Sequence, residues 1–178
     1  ALGKVSKSKP LSSFINFYTW IFRGTPLLLQ LFFVYFGLPY FLGIRFDKFE
    51  AASITFVLNY GAYFTEIFRG GIISIDKGQY EAAKVLGMTY PQTMRRIVLP
   101  QTIRRVLPAT SNEAITLVKD TALVTAISME DLLRNANQIV TREFTIIPFV
   151  IAGGIYLFLT SIIVWIFKKL EQKYSIYE

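Results

Sequence analysis

Four stretches of this chain run long and apolar between clusters of Lys and Arg, and each has roughly the length of a bilayer-crossing helix. They cover about 26–43 (PLLLQLFFVYFGLPYFLG), 51–73 (AASITFVLNYGAYFTEIFRGGII), 106–128 (VLPATSNEAITLVKDTALVTAIS) and 145–167 (TIIPFVIAGGIYLFLTSIIVWIF). A helix needs about 20 residues to cross the hydrocarbon core. The second and fourth reach that length easily and the first is short. The third is polar enough to fall below a strict hydropathy cut. The pattern predicts an all-α integral membrane protein, one domain over 1–178, with a long polar loop at 74–105 between the second and third spans.

Composition agrees: 53% of the residues are hydrophobic and 16% aromatic, above the usual share for a soluble domain. The net charge of +7 is read as topology rather than nucleic-acid binding. Fourteen Lys and Arg lie in 1–25, 69–105 and 168–178, Lys7 among them. Only Arg45, Lys48, Arg134 and Arg142 lie in the two opposite loops, and Lys119 lies inside the third span. The positive-inside rule puts both termini and the 74–105 loop in the cytoplasm, in a multi-pass arrangement. With no Cys and no His, disulfides, Cys/His metal sites and His-based triads are excluded. The chain begins without Met, so it is read as a fragment.

The loop reads as helix, turn, helix. Asp76 offers an N-cap with Gln79 three residues on. QYEAAKVL is rich in helix formers, and Gly87 offers a left-handed stop. Thr89 and Gln92 make a second capping-box pattern, with Pro91 in the first turn. Pro100 should kink or end the helix that follows. Tyr80, Ala83 and Gly87 share one face of the short helix, and Ala82 and Ala83 leave it little bulk. The pattern fits equally a helix lying on lipid and one that docks a partner.

EAAKVLGMTYPQTMRRIVLP resembles the signature of ABC importer permeases: EAA, three residues, Gly, nine residues, Ile, one residue, Leu-Pro. Glu81, Ala82, Ala83, Gly87, Ile97, Leu99 and Pro100 match in type and spacing. FRGTPLLLQLFFVYFGLP, NYGAYFTEIFRGGI and LVKDTALVTAIS look like the polar amino-acid branch of that family, which carries histidine, glutamate, glutamine, arginine or opines. The resemblance implies a type I importer-like fold in a bacterial cytoplasmic (inner) membrane, normally with five helices, the first of them missing here. It implies that a coupling helix from about Gln79 to Leu86 docks on a separate ATPase through Tyr80, Glu81, Ala82, Ala83, Leu86 and Gly87. The implied partners are two ATPase subunits, a second permease chain, an extracytoplasmic substrate-binding protein, the amino acid and membrane lipid, with no nucleic acid. Nothing in the chain resembles GxxxxGK[ST]. ATP and Mg would therefore be bound by the ATPase, and this chain would hold no cofactor and catalyse no reaction.

Polar residues inside spans are functional candidates because they are costly there. Asn59, Tyr63 and Glu66 share one face of the second span. Glu113, Thr116 and Asp120 share one face of the third, flanked by Asn112 and Lys119. At ~1.5 Å per residue, Asn59 and Asp120 lie about 12 Å from the outer boundary, and Glu66 and Glu113 about 10 Å from the inner one. The two stripes are expected to face each other across a shared path. Hydrogen-bonded glue between helices is the other reading, held equally for Asn112 and Thr116. Three acids against Lys119 favour a cationic substrate. Lys119 either weakens that field or holds a substrate carboxylate. Glu130, Asp131 and Arg134, on an amphipathic outer segment, are a solvated rim or a binding-protein contact. An ion-driven secondary amino-acid transporter, with the acids as proton relays, is the rival reading, and it leaves the 76–105 loop unexplained.

Overall fold

The computed structural model describes residues 1–4 and 8–174; Lys7 of the charge count and the tail beyond 174 lie outside them. Every regular element in the described residues is helical. Helix α1 (Lys9–Gly24) exposes Leu11, Phe14, Phe17 and Trp20 along its length. The chain then turns through 105° into Leu27–Leu42. Thr25 precedes Pro26 and is driven into extended backbone (φ −119°, ψ 147°). Gln30 secures the corner. Its amide Nε2 donates to the carbonyls of Phe22 and Thr25, both at 3.0 Å, and to the Thr25 hydroxyl at 2.7 Å. Carbonyls left free at the end of α1 are thereby satisfied.

Helices α2 (Leu27–Phe32) and α3 (Leu38–Leu42) are joined by a π-turn at Phe33–Gly37. The same device joins α6 (Tyr90–Thr93) to α7 (Leu99–Asp120) through Met94–Val98. Both precede a Leu-Pro pair. Proline cannot donate to the carbonyl four residues back. In each case the preceding leucine donates five residues back instead, Leu38 to Phe33 and Leu99 to Met94. Of the two outcomes expected at Pro100, a kink or an end, the helix does not end: a widened turn absorbs the ring and the helix continues.

Helix α4 (Lys48–Ile73) starts at a reciprocal capping box: Asp47 accepts from the Glu50 amide at 2.8 Å, and Glu50 from the Asp47 amide at 3.0 Å. Its 26 residues span about 39 Å. Leu31, Ala52, Val124 and Ile127 form a buried cluster toward its start, and Ile72, Ile75, Met94 and Val98 another at its end. Near Gly71 the helix meets α7 so closely that an added Cβ would collide with Val106 and reach Thr102 Cγ2 at 3.0 Å. The third span departs from expectation at both ends. Its α-helix begins at Leu99, and after Asp120 it tightens into a 3-10 segment, Thr121–Ile127, closed by Ser128 at φ 58°. The Thr121 hydroxyl donates to the Val118 carbonyl at 2.7 Å, a local bond that competes with the α-helical ladder. Lys48 donates to the Ser128 carbonyl at 2.8 Å.

Asp131 caps α8 (Leu132–Glu143) by accepting from the amides of Arg134 (2.9 Å) and Leu133 (3.3 Å). Helix α9 (Ile147–Tyr174) buries only Ala152. Among the described residues α9 alone is both long and apolar enough to cross a bilayer unaided; Lys9–Gly24 with Leu27–Leu42 qualifies only as a bent pair. Helices α4 and α7 have the length but carry the acids.

Candidate functional site

Helix α5 (Lys77–Val85) lies between α4 and α6. Asp76 starts it, accepting from the Gly78 amide at 2.6 Å. Gly87 at φ +70° ends it, a backbone state that costs an L-residue about 1–2 kcal/mol. The Thr89–Gln92 box follows, with the Thr89 amide donating to Gln92 at 2.8 Å. Of the face predicted from Tyr80, Ala83 and Gly87, the first two turn inward and Gly87 stays exposed. Ala83 is fully buried, and Tyr80 packs on the Ile72–Val98 cluster. Burial, aided by the neighbouring Tyr90, pushes the Tyr80 phenol above its usual pKa. The outward surface is Glu81, Ala82, Val85 and Leu86, with Val85 87% and Leu86 76% exposed. Val85 and Leu86 thus form an adjacent, exposed apolar pair on a charged loop. Val85 was not singled out from the sequence, although its place opposite Ala83 on a helical wheel carried the signal.

The long helices are tied together just before α5. Arg105 of α7 donates to the carbonyl of Ser74, the residue that caps the end of α4, and to the Ser74 hydroxyl at 3.1 Å. The Ser74 hydroxyl in turn donates to the Gly71 carbonyl at 2.7 Å. A cation on a helix C-terminus also answers the negative end of the dipole.

The two polar stripes do not meet along their length. Asn59 is buried and faces the α1–α2 corner, donating to the Phe22 carbonyl at 2.9 Å and to Gln30 Oε1 at 3.0 Å. Glu66 is surrounded by cations: Lys4 donates to it, Arg69 reaches it at 2.9 Å and Arg23 lies at 3.9 Å. Arg23 also sits over the Tyr63 ring, 5.3 Å from its centroid. An open cavity of about 490 Å³ is lined here by Lys4, Trp20, Arg23 and Glu66 among others. The contact between stripes runs instead through Tyr60, which the sequence reading passed over: its hydroxyl donates to Asp120 Oδ2 at 2.7 Å. Glu113 is half-buried. Asn112, Thr116 and Lys119 are exposed along α7, and Thr116 bonds back to the Asn112 carbonyl at 2.9 Å. Arg134 pairs with Glu130 at 3.6 Å.

A short loop helix with an apolar outer tip thus packs against an all-helical chain whose long helices carry buried polar residues. Residues 1–176 match the family described as binding-protein-dependent transport system inner membrane component, and the chain belongs to that family. It is a transport subunit, not an enzyme. It is 46% identical over 174 residues to an arginine transport system permease protein (ArtQ) of Bacillus subtilis, covering 97% of this chain and 80% of the relative. It is 43% identical to a putative glutamine transport system permease protein (GlnP) of Rickettsia bellii, with the same coverage. An octopine transport system permease protein (OccM) of Rhizobium radiobacter is 40% identical, over 96% of this chain and 74% of the relative. Among solved structures, one described as an amino acid ABC transporter with histidines superimposes at TM-score 0.88 and 38% identity, covering 97% of this chain and 80% of that one. The methionine transporter MetNI, inward facing, matches at 0.76 and 19% identity, which speaks to the fold alone.

Proposed function

We propose that this chain is the permease subunit of an ATP-driven importer of polar amino acids, and that α5 is its coupling helix. The observation that carries the reading is the exposed Glu81–Ala82–Val85–Leu86 surface on a helix whose other face is bound into the chain. Two ATPase subunits would bind ATP and Mg and move α5. A second permease chain would complete the path, and a binding protein would deliver the amino acid on the far side. The charge pattern supports placing 74–105 and the C-terminal segment in the cytoplasm.

The substrate route we assign to the exposed and half-exposed polar face of α7, namely Asn112, Glu113, Thr116 and Asp120, with Tyr63 and Glu66 beside Arg23 at its edge. Asn59 serves as the hydrogen bond that secures the corner. Two acids on α7, Glu113 and Asp120, favour a cationic amino acid. Relatives named for arginine, glutamine and octopine transport support the amino-acid class. The ion-driven rival gains no support, because it gives α5 nothing to do.

The test is co-purification of the complex followed by uptake into vesicles. ATP-dependent uptake with a co-purified ATPase is expected. Uptake driven by a proton gradient without ATP would overturn the reading. In the same vesicles, Glu113→Gln should weaken arginine uptake more than glutamine uptake, and equal losses would remove the cationic preference.

A further inference from the structure

The corner between α8 and α9 has a feature that transport does not use. Phe144 ends α8 in left-handed backbone (φ 51°), one of two non-glycine residues with positive φ among those described, and it is 94% exposed. An aromatic residue rarely accepts that conformation, which here closes the helix as a left-handed cap. The ring points outward. Ile146 (71%) and Ile147 (61%) continue the exposed apolar band into α9. Just before it, Arg142 and Glu143 pair at 2.8 Å and are exposed.

The occupant follows from depth. At the other end of α9, Lys169 Nζ lies 3.8 Å from the centre of the Trp165 ring. A tryptophan with a lysine drawn over it is an interfacial anchor, so it marks one boundary of the bilayer. Ile147 lies 18 residues earlier, about 27 Å along the axis, against a hydrocarbon core of about 30 Å. Phe144 and Ile146 thus fall at the opposite boundary, where acyl chains give way to glycerol. Charged Arg142 and Glu143 lie one step beyond, where water begins.

We infer that Phe144 and Ile146 form a lipid anchor in the leaflet opposite Lys168 and Lys169, with phospholipid acyl chains as the partner. The inference rests on α9 crossing the bilayer and not on which solute is carried. Because the chain contains no cysteine, single cysteines at 142, 144 and 146 can carry nitroxide labels in the full complex in phosphatidylethanolamine–phosphatidylglycerol nanodiscs. The oxygen-to-nickel-chelate collision ratio should be higher at 144 and 146 than at 142. With Phe144→Asn, which keeps the left-handed turn but removes the ring, the label at 146 should shift toward water. Equal, water-like ratios at all three positions overturn the anchor. So does shielding from both reagents, or shielding that appears only when the binding protein is added, since either makes the corner a protein contact. Transport can fail in these variants without touching the result, which reads depth alone.

Discussion

Arg105 and Ser74 lie 31 positions apart in sequence, yet the guanidinium of one closes the carbonyl end of the helix that the other terminates. That contact joins α4 to α7 immediately before the chain enters α5. Displacement of α5 therefore reaches both helices together. Arg105→Gln is expected to cost about 1 kcal/mol, a small loss of melting temperature, and a larger loss in uptake per ATP hydrolysed. Arg105→Lys should recover part of the coupling, because the ammonium keeps the charge that answers the helix end but sits on a shorter, more flexible stem. Parallel uptake and ATPase assays on the purified complex check this.

Gly71 and Gly153 make a paired test of helix approach. A methyl at Gly71 meets Val106 and Thr102, whereas one at Gly153 meets nothing within 4 Å in this chain. Gly71→Ala should destabilise by about 1–3 kcal/mol, as overpacking does. Gly153→Ala, inside α9 with open space around the methyl, should leave the isolated chain as stable or more stable by up to about 1 kcal/mol. Thermal unfolding in detergent compares them directly; a loss at Gly153 only in the assembled complex would locate a partner against α9.

Tyr60→Phe removes the hydroxyl bonded to Asp120 and little else. Interhelical hydrogen bonds of this type are worth about 0.6 kcal/mol, rarely above about 1.7 kcal/mol. A modest stability loss is expected, with a larger change in transport if the bond holds the 3-10 segment in position. Hydrogen exchange over 121–127 is the measurement to make, since faster exchange there should accompany the transport defect.

Gly87 separates turn geometry from surface chemistry at the proposed coupling helix. Gly87→Asn, tolerant of left-handed backbone, should keep ATPase association, while Gly87→Val should lose it together with about 1–2 kcal/mol of stability. Leu86→Asp should abolish association without affecting folding, because Leu86 is already 76% exposed. Pull-down of the ATPase with the tagged permease reads all three.

Much of this architecture is legible in the sequence, for identifiable reasons. Caps are local, so Asp76, Thr89–Gln92 and Gly87 announce α5 and its turn, and charge asymmetry is additive along the chain. Partners across space are not local. Asn59 shares a helical face with Glu66, but nothing in the spacing says that Gln30 will be waiting at a corner created by Thr25 and Pro26. Ala83 looked available because it is small; smallness let it pack inward. Tyr60 escaped notice because a tyrosine in an apolar helix carries no sign of its partner until α7 is in place. At Pro100 the sequence leaves a kink and an end both open, because the lost backbone bond is the same in either case; the cost is absorbed by a turn that needs only one extra residue.

That extra residue sets an angle. A π-turn holds one residue more than the α-helical pitch accommodates, and one residue is worth about 100° of rotation. The turn at Met94–Val98 therefore fixes how α6 (Tyr90–Thr93), before it, is clocked against Glu113 and Asp120, after it. Deleting one residue there would preserve hydropathy, charge asymmetry and every capping motif. It would also swing the acidic face of α7 by more than a quarter of a revolution: the protein would still look right on paper and would point its acids at the wrong neighbour.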